Sequence, residues 1–200
     1  MTEKISLLEF DAEFSRPLAG VDEVGRGPLA GPVVAAAVIL DFSNIPKGIN
    51  DSKKISKIKR ENINKEIINS STISIGQASV VEIDKINILQ ASLLAMQRAI
   101  NGLKTTPKIV LVDGIYAPLV NVKTETVVKG DSHSLSIAAA SIVAKVFRDK
   151  LMKNYSSQYP GYLWEKNSGY GTKEHLEAIK RLGVTPIHRT SFKPIYNMLN

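Results

Sequence analysis

The sequence predicts an α/β fold in which a mixed sheet is layered with helices, and three observations carry that expectation. Two apolar runs near the start are joined by a connection rich in Gly and Pro. Strand-like and helical periodicities then alternate along the chain. The run from Lys108 to Val112 is short and almost wholly apolar, as in a strand covered by helices on both faces. In order, 18–24 and 33–40 read as strands, and Pro28 and Pro32 between them exclude a helix and favour a hairpin. Residues 56–70 read as a helix capped by Ser56, with Ile58, Ile63 and Ile67 turned inward. Residues 72–81 return to strand, and 82–101 form a helix on Ile83, Ile86, Leu89, Leu93, Met96 and Ile100, stopped at Gly102. After the strand at 108–112 come a strand at 125–129 and a long helix at 132–158, with Leu135, Ala139, Ile142 and Val146 on one stripe. Ser141, Lys145 and Arg148 form a second stripe, expected to be basic and outward-facing. An aromatic loop spans 159–171, Thr172 caps a helix ending at Gly183, and a terminal helix spans 189–200. One domain over 1–200 is expected, with 159–200 as a C-terminal helical appendage.

Composition narrows the function classes. The 200 residues are 44% hydrophobic and 22% charged, enough apolar content for a complete core. Cysteine is absent, which excludes disulfides and thiolate metal sites. The longest apolar stretch, 33–40, falls far short of the ~18 residues of a membrane span, and Met1–Phe10 lacks a signal-peptide pattern, so a cytoplasmic protein with no membrane association is expected. Lys and Arg exceed Asp and Glu by 26 to 19, a formal charge of +7. That excess suits a polyanion such as nucleic acid and equally suits a solubilising surface.

Acidic residues fall where open α/β sheets place their chemistry, at strand ends. Asp22 and Glu23 lie between Val21 and Val24, where an ionised carboxylate is costly unless paired or bound to metal. Neighbouring strand residues point to opposite faces, so Asp22 is the better candidate for a direct ligand and Glu23 the less certain one. Asp113 ends the 108–112 strand, and an Asp-Gly turn is its bland alternative; Asp131 precedes the long helix, where it or Ser132 could simply be the N-cap. Carboxylates with no Cys point to an oxygen-liganded ion, Mg²⁺ or Mn²⁺, provided that they converge. His133, His175 and His188 lack a metal-ligand spacing and read as surface or capping residues. Gly25-x-Gly27-x-x-Ala30 superficially matches a dinucleotide fingerprint but leads into a strand, not a helix.

The run Gly20-Val21-Asp22-Glu23-Val24-Gly25-Arg26-Gly27-Pro28-Leu29-Ala30-Gly31-Pro32 resembles the signature of type 2 ribonucleases H in their bacterial HII form. The resemblance extends through Asn50-Asp51-Ser52-Lys53-Lys54, Val112-Asp113-Gly114, Lys129-Gly130-Asp131-Ser132, Ala138 to Asp149, Tyr159-Pro160, Gly169-Tyr170-Gly171-Thr172-x-x-His175 and His188-Arg189-x-Ser191-Phe192. It implies a ribonuclease H-like mixed sheet with flanking helices and a small C-terminal helical region. It also implies a divalent-metal-dependent endonuclease acting on RNA/DNA hybrids and on single ribonucleotides in duplex DNA, a role in repair, and a monomer. The related HIII type differs in its N-terminal extension, its loop at 25–27 and its fourth acid. The four acids implied as metal ligands are Asp22, Glu23, Asp113 and Asp131, in a two-metal hydrolysis with ions about 4 Å apart. Expected substrate contacts are the main chain at Gly25 and Gly27 near the 2′-hydroxyl, Arg26 on an adjacent phosphate, Tyr170 stacked on the following sugar, and Lys53, Lys54, Lys145, Arg148, Lys173 and Arg189 on phosphates. Two alternatives remain at this point: a nucleic-acid-binding module of the same fold without catalysis, and a metal-dependent phosphotransferase.

Overall fold

The computed structural model describes residues 6–50, 52 and 55–200. Its elements run α1 (Leu7–Ala12), β1 (Leu18–Val24), β2 (Val33–Ile39), α2 (Lys57–Ser70), β3 (Thr72–Ala78), α3 (Val80–Asn101), β4 (Ile109–Asp113), β5 (Lys123–Val127), a 3₁₀ turn (Gly130–Ser132), α4 (Leu135–Gln158), α5 (Trp164–Asn167), α6 (Lys173–Leu182) and α7 (Lys193–Leu199). The five strands form one mixed sheet in the order β3-β2-β1-β4-β5. The expected hairpin is present, with Gly20 opposite Val38 and Val24 opposite Val34, while β1, β4 and β5 run parallel. Parallel β1 and β4 end side by side, which brings the C-terminal residues of both strands to one rim of the sheet.

The sheet is covered on both faces. Alternation in β1, β2 and β4 sends Ala19, Val21, Ala35, Ala37, Val110 and Val112 to the face packed by α3, and Ala36 and Val38 to the face packed by α4 and α2. The small alanines of β2 let both helices sit close. At Gly20 the approach is closest, since an added Cβ would lie 2.0 Å from the Ser136 carbonyl carbon. The start of α4 is fixed there from outside the sheet too, because the buried Asp11 carboxylate of α1 accepts from the Ser136 backbone N–H at 2.8 Å and from its hydroxyl at 2.7 Å. A separate cluster packs Trp164, Ala178, Ile179 and Ile195 of the C-terminal helices, with Tyr162 from the loop before α5, against Leu29, Ala30 and Met152. Among the described residues no helix is long and apolar enough to cross a membrane.

Several boundaries differ from expectation for local reasons. Ser79 and Glu82 close a capping box, so β3 stops at Ala78 and α3 begins at Val80, while a left-handed Asn87, whose side chain accepts from the N–H groups of Leu89 and Gln90, breaks α3 near its start. Ser134, not Asp131 or Ser132, caps α4, which leaves Asp131 in the preceding 3₁₀ turn. The last strand lies two residues earlier than expected, Ile58 faces solvent at 74% exposure, α5 occupies part of the expected 159–171 loop, and the final helix begins only at Lys193. The unanticipated α1 carries its own capping box, Ser6 with Glu9.

Gly20→Ala is expected to cost about 3 kcal/mol, the upper part of the range for overpacking, because its neighbour is backbone and cannot swing away. A lower urea midpoint checks this; an unchanged midpoint would show that α4 lifts from β1 without penalty.

Candidate active site

At the rim where β1 and β4 end, Asp22, Glu23 and Asp113 come together. Asp22 is 7% exposed, and burial together with the charges of Glu23 and Asp113 holds its carboxyl well above the usual carboxylate range. Two contacts act in the opposite direction: the Ser141 hydroxyl on α4 and the Glu23 backbone N–H, which donates to Asp22 Oδ1 at 2.7 Å. Glu23, whose side chain is 9% exposed, is raised first by burial, an effect countered by the Arg26 guanidinium at 3.1 Å and reinforced by Asp113. Its Oε1 is the atom paired with Arg26, while Oε2 is buried with no hydrogen-bond partner among the described residues. Although consecutive strand residues alternate faces, both carboxylates therefore sense Asp113, because they stand at the rim beyond the last β1–β4 pair, Val21 with Val112.

Asp131 is delivered by the turn after β5. The Gly130 N–H donates to Asp113 Oδ1 at 2.6 Å, which ties that turn to the end of β4 and leaves Asp131, itself 7% exposed, in the next position. An added Cβ at Gly130 would lie 2.5 Å from Ile137 Cδ1 and 3.4 Å from Asp113 Oδ1, so a larger residue there would have to push the Ile137 side chain aside. Among the described residues no three His, Asp or Glu side chains are already closed around one point. Like charges this close raise the cost of ionising each carboxylate, a cost that a bound cation would offset. An all-oxygen donor set with one orphaned buried oxygen fits a hard divalent ion.

Beside the acids, the loop between β1 and β2 is held by two buried arginines. Arg189, 0% exposed, donates from Nε to Gly31 O at 2.9 Å, from Nη1 to Arg26 O at 2.9 Å and from Nη2 to Gly25 O at 2.5 Å. Arg148, 1% exposed, donates to the carbonyls of Pro32, Ser168 and Ala30 at 2.9–3.1 Å. Both depart from the expected outward basic surface: their donors are spent on backbone carbonyls, and neither presents a guanidinium to phosphate. Gly25 takes φ +93°, and a Cβ there would fall 2.2 Å from Arg148 Nε, so glycine is needed both for the turn and for the arginine beneath it. A trans peptide directs its N–H opposite its C=O, so turning the Gly25 and Arg26 carbonyls into Arg189 turns the N–H groups of Arg26 and Gly27 the other way.

The loop bearing Tyr170 is zipped to this one through the Leu29 N–H, which donates to Gly169 O at 2.8 Å. The Tyr170 ring is 47% exposed, with its Cε1 3.4 Å from where a Gly27 Cβ would stand. Beneath it, His175 and His188 are buried, not surface residues. The Trp164 indole N–H donates to His175 Nε2 at 2.9 Å, so His175 carries its proton on Nδ1, which donates to Tyr170 O at 2.8 Å. His188 Nε2 is then the donor across the 3.2 Å contact to His175, and its Nδ1 accepts from the Thr185 N–H. Burial pushes both imidazoles down, His188 to about 4. Of the other expected contacts, Arg26 is half exposed and paired with Glu23, Lys145 pairs with Asp149 at 2.7 Å, and Lys173 is exposed on the first turn of α6, 4.0 Å from Glu177. Lys53 and Lys54 lie outside the described residues. The contribution of Ser141 beside Asp22 was not anticipated from sequence; its one-turn spacing from Lys145 on the same stripe was the available signal.

In sequence and in fold the chain is similar to known proteins. Residues 19–195 match the sequence model of the family described as Ribonuclease HII. A Ribonuclease HII of Roseobacter denitrificans is 55% identical over 186 residues, covering 92% of this chain and 94% of that protein. One from Cereibacter sphaeroides (strain ATCC 17029) is 56% identical over 183 residues, covering 91% and 86% respectively. Among solved structures, the ribonuclease H2 of Pyrococcus horikoshii OT3 superposes with a TM-score of 0.76 at 26% identity, covering 90% of this chain and 96% of that one.

Arg189→Ala is expected to cost about 3 kcal/mol, because it leaves buried carbonyls of residues 25, 26 and 31 without donors. Urea denaturation checks it, and a cost under about 1 kcal/mol would mean that water replaces the guanidinium. The histidines predict a pH response. A His188 pKa near 4 in the folded chain against 6.5 unfolded means that the unfolded chain binds more protons, so the histidine contribution is whole above pH 6.5 and lost as pH falls toward 4. Thermal melts across that window should fall more steeply for the native chain than for His188→Gln; parallel curves would sink this assignment.

Proposed function

Because the chain belongs to the ribonuclease HII family, whose members are endoribonucleases, we propose that it is a divalent-metal-dependent endonuclease that hydrolyses the RNA strand of RNA/DNA hybrids and cuts at single ribonucleotides embedded in duplex DNA. The observation that carries this reading is the rim at which Asp22 and Glu23 come within reach of Asp113, whose charge with burial raises the pKa of both, beside a loop whose Gly25 and Arg26 carbonyls are turned into Arg189. Left uncompensated, such an acidic cluster repels a phosphate backbone. Divalent ions held by Asp22, Glu23, Asp113 and Asp131 would supply activation of a water and stabilisation of the leaving 3′-oxygen.

The chain's own groups divide the remaining work. Gly130 orients the Asp113 carboxylate, and Ser141 with the Glu23 N–H orients that of Asp22. The outward N–H groups of Arg26 and Gly27 offer donors to a ribose 2′-hydroxyl, the one group that distinguishes the target sugar from its neighbours. The exposed Tyr170 ring, held through its carbonyl by His175, stands over the same loop and stacks on the adjoining sugar. Arg26, tied to Glu23, stays near enough to the rim to meet a phosphate.

Asp22→Asn and Asp113→Asn should each abolish cleavage of a duplex carrying one ribonucleotide, in Mg²⁺ or Mn²⁺, with a melting temperature at or above that of the native chain because a like-charge repulsion is removed. Retained activity in a folded variant would remove that residue from the mechanism. Tyr170→Ala should lower cleavage at a single ribonucleotide about tenfold, the scale of one stacking contact, and lower cleavage of a continuous hybrid less. Equal losses on both substrates would assign Tyr170 to general binding.

A further inference from the structure

Away from the carboxylates, a groove of about 550 Å³ opens between α2, α4 and α5. Seven cationic side chains line it against three carboxylates, a net +4 of the chain's +7. Two of those carboxylates are already engaged: Asp149 takes the Lys145 ammonium at 2.7 Å with Arg60 at 3.9 Å, and Glu165 accepts from the Ser156 hydroxyl. The charge left over belongs to Lys57 and Lys65 of α2, Lys150 and Lys153 of α4 and Lys166 of α5, all exposed. Among the described residues none of these five makes an ion pair. Three helices thus turn like charges toward one concavity, and Lys150 and Lys153 are additionally neighbours at i, i+3, a spacing at which like charges cost helix stability. An anion in the groove relieves both costs.

The groove and the candidate active site share one helix, α4, which carries Ser141 beside Asp22 and, one turn on, Lys145 in the groove lining. Ser141, beside Asp22, and Lys153 lie on the same helix about 18 Å apart along its axis. A strand leaving the carboxylates along α4 covers that length in about five base steps, and the stretch from Lys145 to Lys153, about 12 Å, spans about three phosphates of one strand.

We propose that this groove holds backbone phosphates of the duplex flanking the cleavage position, on one side of it only. The proposal rests on the nuclease reading for its register but not for its chemistry, and the experiment separates the two. Affinity for an all-DNA duplex of about 24 base pairs is measured against salt for the native chain and for Lys150→Ala/Lys153→Ala, whose exposed positions and relieved like-charge repulsion should leave the melting temperature at or slightly above that of the native chain. The double variant should show a slope of log affinity against log salt lower by about 1.8, or about 0.9 for each phosphate that a lysine no longer neutralises. An unchanged slope overturns the proposal whether or not the protein cleaves anything, and that result combined with lost binding of poly-glutamate would assign the groove to an acidic polypeptide. In an Asp113→Asn background, duplexes with one ribonucleotide are then shortened on either flank. Removing one flank should erase the difference between the chains with and without the lysines, and removing the other should preserve it. A difference that survives both truncations overturns the one-sided placement, whereas failure of the native chain to cleave, with the slope difference intact, sinks the nuclease reading alone.

Discussion

The organisation of the site depends on a buried guanidinium. Arg189 lies beneath the loop between β1 and β2 and directs its N–H groups at the carbonyls of residues 25, 26 and 31. Burial, reinforced by the charge of nearby Arg148, pulls its pKa down to about 9, still high enough to stay protonated at neutral pH. A buried cation without a carboxylate partner is costly, and here the compensation comes from carbonyl dipoles, aided at longer range by Asp84. The same bonds that make the charge tolerable set the peptide planes of the loop. Arg148 repeats the arrangement one layer over, on the carbonyls of Ala30, Pro32 and Ser168, and so joins the Tyr170 loop to the first.

Electrostatically the molecule is divided. Its surface is basic, whereas the rim of the sheet gathers carboxylates that burial and mutual repulsion push toward protonation. Neither half explains the chemistry alone. A basic surface draws in a phosphate backbone, and the acidic rim becomes tolerable to that backbone only with cations between them.

How much of this was legible in the sequence follows from how far apart the interacting residues are. Asp22 and Asp113 could be read as site candidates because strand ends are local features, and parallel pairing of β1 with β4 then placed them together. The capping boxes Ser6-x-x-Glu9 and Ser79-x-x-Glu82 were equally local and would have corrected the starts of α1 and α3. The two arginines were not legible. Their charge is visible in sequence, but the carbonyls that absorb it lie up to 118 residues away for Arg148 and up to 164 for Arg189, in a loop whose approach no periodicity announces. Helical spacing put Arg148 on the stripe of Ser141 and Lys145, yet only packing decides whether that stripe meets water or a backbone. The break at Asn87 escaped for a similar reason, since one asparagine inside a helical pattern gives no sign that its side chain will cap the following turn.

The distance along the chain between Arg189 and its loop has a consequence during synthesis. The two strands that carry the loop leave the ribosome early, but the residue that sets its peptide planes comes 158 to 164 positions later. At about 5–20 residues per second, that is a wait of roughly ten to thirty seconds. Through that interval the nascent chain holds Asp22 and Glu23 next to an unclamped loop, so the surroundings of the two carboxylates are completed last, once the C-terminal segment has folded back across the first hairpin.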